Sequence, residues 1–542
     1  MKLLKFIHHT SARLFYISLA VSIASGLTNA LLASLIGQII SGSHDLTSRL
    51  FNVLALLIFL GLVFDFGAKQ AINLLANKMH YELRLSFTSQ VLNASFLRLE
   101  KLGKPRLLTL LTEDSQVVGQ IISNLSSVAI GLTSILGCLL YLLWLSPLTL
   151  GGIILITLPI FVSNWWLQKR TNQIVQQAFF WRDQLNHTYR DLTEGIKELK
   201  LHLPRLSTFY YEHVVPKAVN SRDSTTHYMR YYFLIQNINQ FTYFVLIFGL
   251  FILSNWLQTP MELLGTYAVI ILYMKSSTIA IISSLPHWTE SQTVIKQIEA
   301  LGFTLIAPMT VAKVTTTSSH FPVDGKIRLY LDNLTYVYRD DSEESSFQLG
   351  PLKLKVQTGE IVFIIGGNGS GKTTLLKLLI GLYTPTEGHI MCNNTLISKQ
   401  NMEEYQQNFS VISSEPYLFS FLMGLDWENL DERAQVWLDR LQLTHKVKVQ
   451  NGKLSTLNLS FGQRKRLALL NAYLEDRAIY VFDEWAAGQD PEFRELFYHT
   501  LLPELKAQSK LILVITHDDQ YFDMADRIVK LDSGSIKQSK SI

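Results

Sequence analysis

A glycine-rich stretch that ends in a lysine and two threonines contains the residue types and spacing of a phosphate-binding loop. It reads Gly366-Gly367-Asn368-Gly369-Ser370-Gly371-Lys372-Thr373-Thr374, which fits the pattern G-x-x-x-x-G-K-[ST]. Apolar runs at 361–365 and 375–379 flank it, so we expect a strand, a tight turn and a helix. The turn could merely connect the two. In this context, however, inward-facing N–H groups and the helix N-terminus predict a polyphosphate cradle. Lys372 would reach the terminal phosphates and Thr373 would ligate Mg²⁺.

Two further apolar runs end in side chains that could activate water. The run 478–482 is followed by Asp483 and Glu484, and the run 511–515 by Thr516 and His517. Asp483 is expected to hold Mg²⁺, and Glu484 to polarise the attacking water. A strand that ends in an acid or a histidine is common by itself. Following a phosphate loop in this order, these residues favour nucleotide hydrolysis.

The strands and helices around these residues are predicted from the alternation of apolar and polar segments. The segment Leu459-Ser460-Phe461-Gly462-Gln463 lies between the phosphate loop and Asp483, and it opens a predicted helix at 464–473. From Ile327–Tyr330 to Ile528–Leu531, short apolar strands alternate with helices, which indicates an α/β domain with a mixed sheet. Before it, 303–325 is rich in Thr, Ser, Pro and Val without helical period, and is interpreted as a linker.

Composition indicates a membrane protein of more than one domain. The chain has 542 residues, 48% of them hydrophobic, with a mean hydropathy of +0.19, and the excess lies in roughly the first three hundred residues. A net charge of +4 does not indicate a nucleic-acid-binding protein. Cys138 and Cys392 form no C-x-x-C pair, so neither a disulfide framework nor a metal site follows.

Six apolar stretches are long enough to span a bilayer, since about 20 helical residues cover its hydrocarbon core. The stretches are Leu14–Ile40, Phe51–Leu74, Ile121–Leu145, Leu148–Leu167, Tyr232–Trp256 and Leu263–Leu285. The start Met1-Lys2-Leu3-Leu4-Lys5, followed by an apolar stretch, resembles a signal peptide. The hydrophobicity continues to Ile40 without a clear cleavage site, however, which favours a retained membrane helix. The sequence therefore predicts an all-α six-helix transmembrane domain at 1–302.

Charge predicts the orientation of these segments, because Lys and Arg accumulate on the cytoplasmic side. The polar connections 76–120 and 168–231 are rich in both residues, whereas the short loops near Pro147 and Pro260 contain neither. We therefore place the two long loops and both termini in the cytoplasm. The long loops are expected to be helical. Within them, 104–117 and 191–202 are amphipathic, and could lie against a cytosolic partner or be solvated.

Asp65 and Lys275 are expected near mid-bilayer depth, where charged groups are costly. They could form a structural ion pair or face the cargo, and Lys275 could also extend to the interface.

The order of phosphate loop, Leu459–Gln463, Asp483-Glu484 and Thr516-His517 resembles the ATP-binding cassette (ABC) family. With six membrane segments ahead of the cassette, the chain looks like an exporter-type half-transporter. More narrowly, residues 365–372, 483–491 and 516–519, with Glu194–Leu199 as a coupling segment, resemble the branch that exports cyclic peptides, lasso peptides (microcins) and siderophores from bacteria. The implied architecture is multi-domain, with an all-α transmembrane domain, the linker, and an α/β P-loop cassette at 326–542.

The resemblance assigns further roles. Tyr338 matches the aromatic residue on which adenine stacks. Ser460, Gly462 and Gln463 match the signature, which in the family contacts the γ-phosphate bound by the other protomer. Asp490 matches the acidic residue that bridges two cassettes, and His517 the switch histidine.

Two residues depart from the family pattern. Phe461 stands where the signature usually has glycine, and Ser414 stands where a Mg²⁺-contacting glutamine is usual. We expect Ser414 to serve as the metal ligand through its hydroxyl or a bridging water.

The resemblance implies a homodimer in the bacterial inner membrane that uses ATP and Mg²⁺ to export a peptide-like compound: a cyclic or lasso peptide, or a siderophore. A lipid or multidrug exporter would use the same machine. A third possibility, an ATP-sensing membrane regulator without transport, is weakly favoured by Ser414 and Phe461. The intact pair of Glu484 and His517 argues against it.

Overall fold

The computed structural model describes residues 2–40, 48–257, 261–304, 306, 326–338, 347–425 and 428–541. They fall into two compact units, one of Met1–Ala94 with Leu99–Val311 and the other of Ser95–Arg98 with Ala312–Ile542. Apart from 303, 304 and 306, the predicted linker lies outside the described residues.

The first unit is built from helices. In chain order they are α1 (Lys2–Ile40), α2 (Ser48–Leu92), α3 (Phe96–Thr109), α4 (Ser115–Leu145), α5 (Pro147–Glu194), α6 (Ile196–Leu201), α7 (Leu203–Thr208), α8 (Val215–Leu257) and α9 (Met261–Ala300). One π-helical turn, Leu110–Asp114, joins α3 to α4, and another, Phe209–Val214, joins α7 to α8. Each predicted membrane segment lies inside one of the six long helices. The long polar connections are largely helical, as expected from their lack of helix breakers.

Five stretches of helix among the described residues are long and apolar enough to cross a membrane. They are Ser11–Ile39, Arg49–Leu92, Ser127–Leu145, Leu203–Ile252 and Leu264–Ser284. The remaining predicted segment, Leu148–Leu167, lies in α5, where several side chains fall outside the described set. The unit therefore has the helical, lipid-compatible architecture that the sequence predicts.

Asp65 and Lys275 have different neighbours among the described residues. The Asp65 carboxylate accepts a hydrogen bond of 2.7 Å from Lys69, one turn further along α2. The Lys275 ammonium lies 5.6 Å from the centre of the Phe244 ring. The ion pair made by Asp65 thus lies within one helix.

The second unit has an α/β core. Its strands are β1 (Arg328–Val337), β2 (Gln348–Gln357), β3 (Ile361–Gly366), β4 (Glu387–Cys392), β5 (Thr395–Leu396), β6 (Phe409–Ile412), β7 (Val449–Gln450), β8 (Lys453–Leu454), β9 (Ile479–Asp483), β10 (Leu511–Ile515), β11 (Arg527–Asp532) and β12 (Ser535–Ser541). Its helices are α10 (Lys372–Leu379), α11 (Met402–Gln406), α12 (Leu430–Arg440), α13 (Phe461–Glu475), α14 (Pro491–Leu496) and α15 (Leu502–Ala507).

The larger sheet brings the predicted chemistry to one edge. Its strand order is β12-β11-β3-β10-β9-β6, and all neighbours are parallel except β12 with β11. Strands β9 and β10 are buried throughout, which explains their unbroken apolar sequences. Because parallel strands end at a common edge, the residues after β3, β6, β9 and β10 lie near one another. The smaller sheet, β2-β1-β4-β5, is antiparallel.

Candidate active site

The phosphate loop connects β3 to α10 and can be built only with glycine at two positions. A β-carbon added at Gly366 would lie 2.4 Å from the Leu531 carbonyl oxygen. At Gly371 the backbone has φ +100°, and a β-carbon would lie 2.7 Å from Leu349 Cδ1. Glycine therefore permits both the close strand contact and the left-handed turn that starts α10.

Buried polar groups in this loop fit an anionic ligand. Lys372 is buried, and its ammonium donates to the carbonyl oxygens of Gly366 (2.9 Å) and Gly367 (3.1 Å). The Ser370 hydroxyl is also buried, and has no hydrogen-bond partner among the described residues. An unpaired buried hydroxyl is unusual, and a phosphate oxygen would satisfy it. The N-terminal amides of α10 favour the same ligand.

The other predicted residues of the loop differ in their exposure to solvent. Asn368 is exposed, and Gly369, also exposed, has φ +77°. Thr373, in the first turn of α10, is exposed and can present its hydroxyl to a metal, whereas Thr374 is buried. Since the first amides of a helix have no partner within it, Thr374 can contribute through its backbone.

Asp483 ends β9 as a buried carboxylate, 7% exposed. Burial raises its pKa, the neighbouring Glu484 adds to the rise, and Lys372 opposes it. A divalent cation would stabilise the ionised form of such a carboxylate, because its charge offsets both the lost hydration and the repulsion from the second acid. Asp483 and the Thr373 hydroxyl are therefore a donor set that fits Mg²⁺.

Glu484 and His517 form the contact expected of a water-activating pair. His517 Nε2 lies 3.3 Å from Glu484 Oε1, and both side chains are partly exposed. Glu484 has φ +48°, and its N–H donates to the Ile515 carbonyl oxygen (3.0 Å). A left-handed glutamate that the adjacent strand holds in place is typical of a functional constraint.

Ser414 lies at the same edge of the sheet. Ile412, the last residue of β6, is in register with Phe482 of β9, and Asp483 follows Phe482 directly. Ser414 is two residues past β6 and half-buried. The strand pairing thus brings the expected serine ligand towards the buried carboxylate.

Comparison with known proteins identifies this arrangement. A family model described as ABC transporter matches residues 349–487, from β2 through β9. The ATP-binding protein SyrD of Pseudomonas syringae pv. syringae is 30% identical over 96% of this chain and 94% of its own length. The chain belongs to the ABC transporter family. With membrane helices and cassette in one chain, it is an exporter-type ABC transporter, and its cassette binds and hydrolyses ATP.

Other relatives are similar over a shorter part of the chain. An ATP-dependent lipid A-core flippase of Cupriavidus metallidurans is 30% identical over 39% of this chain and 37% of its own length. The ABC multidrug transporter atrC of Emericella nidulans is 28% identical over 38% of this chain and 17% of its own length.

The signature residues of this ABC transporter form a second cluster. Ser460 caps α13, where its hydroxyl accepts from Gln463 N–H (3.3 Å) and Gln463 Oε1 accepts from Ser460 N–H (3.1 Å). The Gly462 carbonyl accepts from Gln489 Nε2 (3.1 Å). Asp490 caps α14 by accepting from Phe493 N–H (2.9 Å). Among the described residues, no hydrogen bond joins this cluster to the phosphate loop.

Arg466 ties the signature helix to the segment before α14. Its guanidinium donates to Gln489 Oε1 (3.0 Å) and forms an ion pair with Asp490. The hydrogen bond from the Phe493 N–H lowers the pKa of Asp490, and the charge and hydrogen bond of Arg466 lower it further. Sequence reasoning missed both Arg466 and Gln489, because their roles depend on the approach of two distant segments.

Lys465 is a buried lysine that no sequence motif singled out. It is 1% exposed, and its ammonium donates to the carbonyl oxygens of Glu484 (2.7 Å) and Ala487 (2.9 Å). Burial lowers its pKa, while nearby carboxylates, Glu484 first, oppose that shift. Lys465 therefore anchors the backbone of the predicted catalytic glutamate.

The unusual signature residue Phe461 covers this lysine. Its ring centre lies 4.8 Å from the Lys465 ammonium, a cation–π contact. The ring also lies against Gly488, where an added β-carbon would be 3.2 Å from it. Packing within one cassette thus explains why phenylalanine can stand at this position, where the family signature usually has glycine.

Tyr338, the expected adenine-stacking residue, lies in an aromatic cluster. Its hydroxyl is 3.2 Å from that of Tyr383, and its ring lies 6.4 Å from Phe347. Phe347 reaches the phosphate loop, since a β-carbon at Gly371 would lie 3.2 Å from its ring. The cluster connects Tyr338 to the loop through Phe347, which the sequence pattern did not single out.

Proposed function

We propose that this ABC transporter exports a peptide-like compound, a cyclic or lasso peptide or a siderophore, across the bacterial inner membrane. The proposal rests on the resemblance of residues 365–372, 483–491 and 516–519 to the branch that exports peptides and siderophores. The similarity to SyrD, which extends through the membrane helices as well as the cassette, supports the exporter architecture. The similarities to the lipid A-core flippase and the multidrug transporter cover 39% and 38% of this chain. They therefore say less about cargo, for which the membrane helices are decisive.

In the proposed reaction, the chain's own residues hold ATP and activate water. Lys372 and the amides of α10 bind the phosphates, and Tyr338 stacks on adenine. Glu484 accepts a hydrogen bond from the attacking water, and His517 holds the glutamate and the terminal phosphate in register. Mg²⁺, held by Thr373, Asp483 and Ser414, would neutralise the phosphate charge.

The working unit is proposed to be a homodimer. Within the described part of the chain, the signature cluster of Ser460, Gly462, Gln463 and Asp490 makes no hydrogen bond to the phosphate loop. A second copy, related by a two-fold axis, would supply its signature to this copy's ATP, and the reverse. The γ-phosphate would then stabilise the closed pair, and hydrolysis would release it.

The proposed order of domains along the chain is the one predicted from the sequence. Residues 1–302 form the membrane domain, 303–325 the connection and 326–542 the cassette, with the cassette and both termini in the cytoplasm. This places ATP binding and cargo loading in the same compartment, as export requires.

Inside-out vesicles that contain the purified protein test the proposal. We would measure ATP-dependent accumulation of a lasso peptide, a peptidic siderophore and a fluorescent phospholipid, with Glu484→Gln vesicles as the control. Accumulation of a peptide probe by the wild type alone is expected. Accumulation of the phospholipid alone would favour the lipid exporter, and ATP binding without turnover would favour the regulator.

A further inference from the structure

A polar cavity lies between α2 and α4 in the membrane unit. Its volume is about 560 Å³, which is within the usual range for small-molecule sites. The lining residues are Asn77, His80, Tyr81, Arg84, Gln116, Gln120 and Asn124. Four primary amides, a phenol, an imidazole and a guanidinium thus meet in a helical unit that is otherwise rich in apolar side chains.

Helical spacing explains how the two walls form. On α2, Asn77, Tyr81 and Arg84 are four and three residues apart, so they share one face. On α4, the three amide residues recur every fourth position and form a matching face. A β-carbon added at Gly119 would lie 1.9 Å from the His80 ring, so glycine there admits the imidazole between the helices.

The lining has the chemistry to bind an anion that carries amide groups. No carboxylate lines the cavity, and Arg84 makes no ion pair with any described residue. Asn124 Nδ2 is enclosed and has no hydrogen-bond partner within the described part of the chain. A guanidinium fork pairs well with a carboxylate, and primary amides offer both a donor and an acceptor to a peptide group.

The position along α2 fits cargo entry. The predicted membrane segment of α2 ends at Leu74, and the cavity begins at Asn77, in the connection whose Lys and Arg content predicts a cytoplasmic side. A ligand arriving from the cytoplasm would meet these groups before the apolar stretch of the helix.

We propose that this cavity binds the carboxylate of a peptide-like cargo, with Arg84 pairing to the carboxylate and the amides to adjacent peptide groups. The proposal rests on the proposed export function and narrows its substrate class to anionic peptides. Arg84, Gln120 and Asn124 are then specificity-determining residues.

The test compares the binding of the same peptides with and without a C-terminal carboxylate. The probe is a library of N-acetylated tetrapeptides, prepared as free acids and as C-terminal amides, and equilibrium dialysis against the purified full-length transporter measures binding of each. Loss of one charged hydrogen-bonded pair corresponds to roughly a tenfold or larger change in Kd. We expect the acids to bind at least tenfold more tightly than the amides.

Three variants test which residues cause the preference for acids over amides. Arg84→Gln should remove the preference for acids and leave the binding of the amides unchanged. Lys78→Gln removes an exposed charge nearby on α2 that does not line the cavity, and should behave like the wild type. Gln120→Leu, which changes no charge, should weaken both ligand forms.

Each contrary result overturns the cavity proposal: equal binding of acids and amides, no retention of either form, or an unchanged acid preference in Arg84→Gln. Failure of the export proposal has a different signature. In that case the acids would bind through Arg84, yet inside-out vesicles would accumulate no peptide on addition of ATP.

Discussion

Glu484 has the geometry of a general base: a partly exposed carboxylate near His517 and a backbone held by β10 and Lys465. Replacing it with glutamine keeps the size and removes the basicity. Because such a group typically contributes a factor of 10² to 10⁴, we expect the Glu484→Gln ATPase rate to fall at least about a hundredfold. Binding of a fluorescent ATP analogue should persist. Hydrolysis at the wild-type rate would show that another group activates the water.

Lys465 is expected to act through Glu484 rather than on ATP. Lys465→Met keeps the side-chain length but removes the donor to the two carbonyl oxygens. We predict that kcat falls roughly tenfold while KM for ATP stays near the wild-type value, because the loop that binds ATP is untouched. Steady-state ATPase kinetics measure both constants.

The matched control is Lys446→Met, which changes an exposed lysine in the same unit. It should leave both constants unchanged. Lys465→Arg, which restores a cationic donor, should recover part of kcat. A parallel rise in KM for Lys465→Met, or no recovery with arginine, would assign the lysine a general folding role instead.

Ser460, at the N-terminus of α13, is both the helix cap and the proposed contact to the γ-phosphate bound by the partner. Two substitutions distinguish these roles. Replacing an N-cap serine with alanine costs about 1 kcal/mol, whereas glycine costs only a few tenths. We therefore expect Ser460→Ala to lower the thermal unfolding midpoint and Ser460→Gly to leave it nearly unchanged. Both should lose most ATPase activity. Wild-type hydrolysis by Ser460→Gly would mean that the hydroxyl serves only as a cap.

Elements with local signals could be predicted from sequence. The buried strands β3, β9 and β10 followed from unbroken apolar runs, and the fold class, with its helical membrane part and mixed-sheet cassette, was confirmed. The roles of Lys465, Gln489 and Phe347 could not be predicted in this way. Each depends on a tertiary contact between segments far apart in sequence, and nothing in the local pattern of a charged or aromatic residue specifies such a partner.

At the scale of the whole molecule, the long helices were predictable because bilayer thickness fixes the length of each apolar segment. The cavity between α2 and α4 was not, since its walls come from residues that are polar in sequence and share a site only after the helices pack. Asp65 is a different case, because its partner Lys69 lies four residues further along its own helix, and helical spacing alone brings the two side chains together.

Two copies of this chain are proposed to form each ATP site, with the phosphate loop from one and the signature from the other. Co-expressing Lys372→Met and Ser460→Arg chains with different affinity tags, and purifying the mixed dimer through both tags, tests this shared site. Each variant alone should be inactive, since both of its sites contain a defective half. In the mixed dimer, one site combines two intact halves, so we predict ATPase activity of about half the wild-type value if the two sites turn over independently. A mixed dimer as inactive as either variant alone would contradict the shared site.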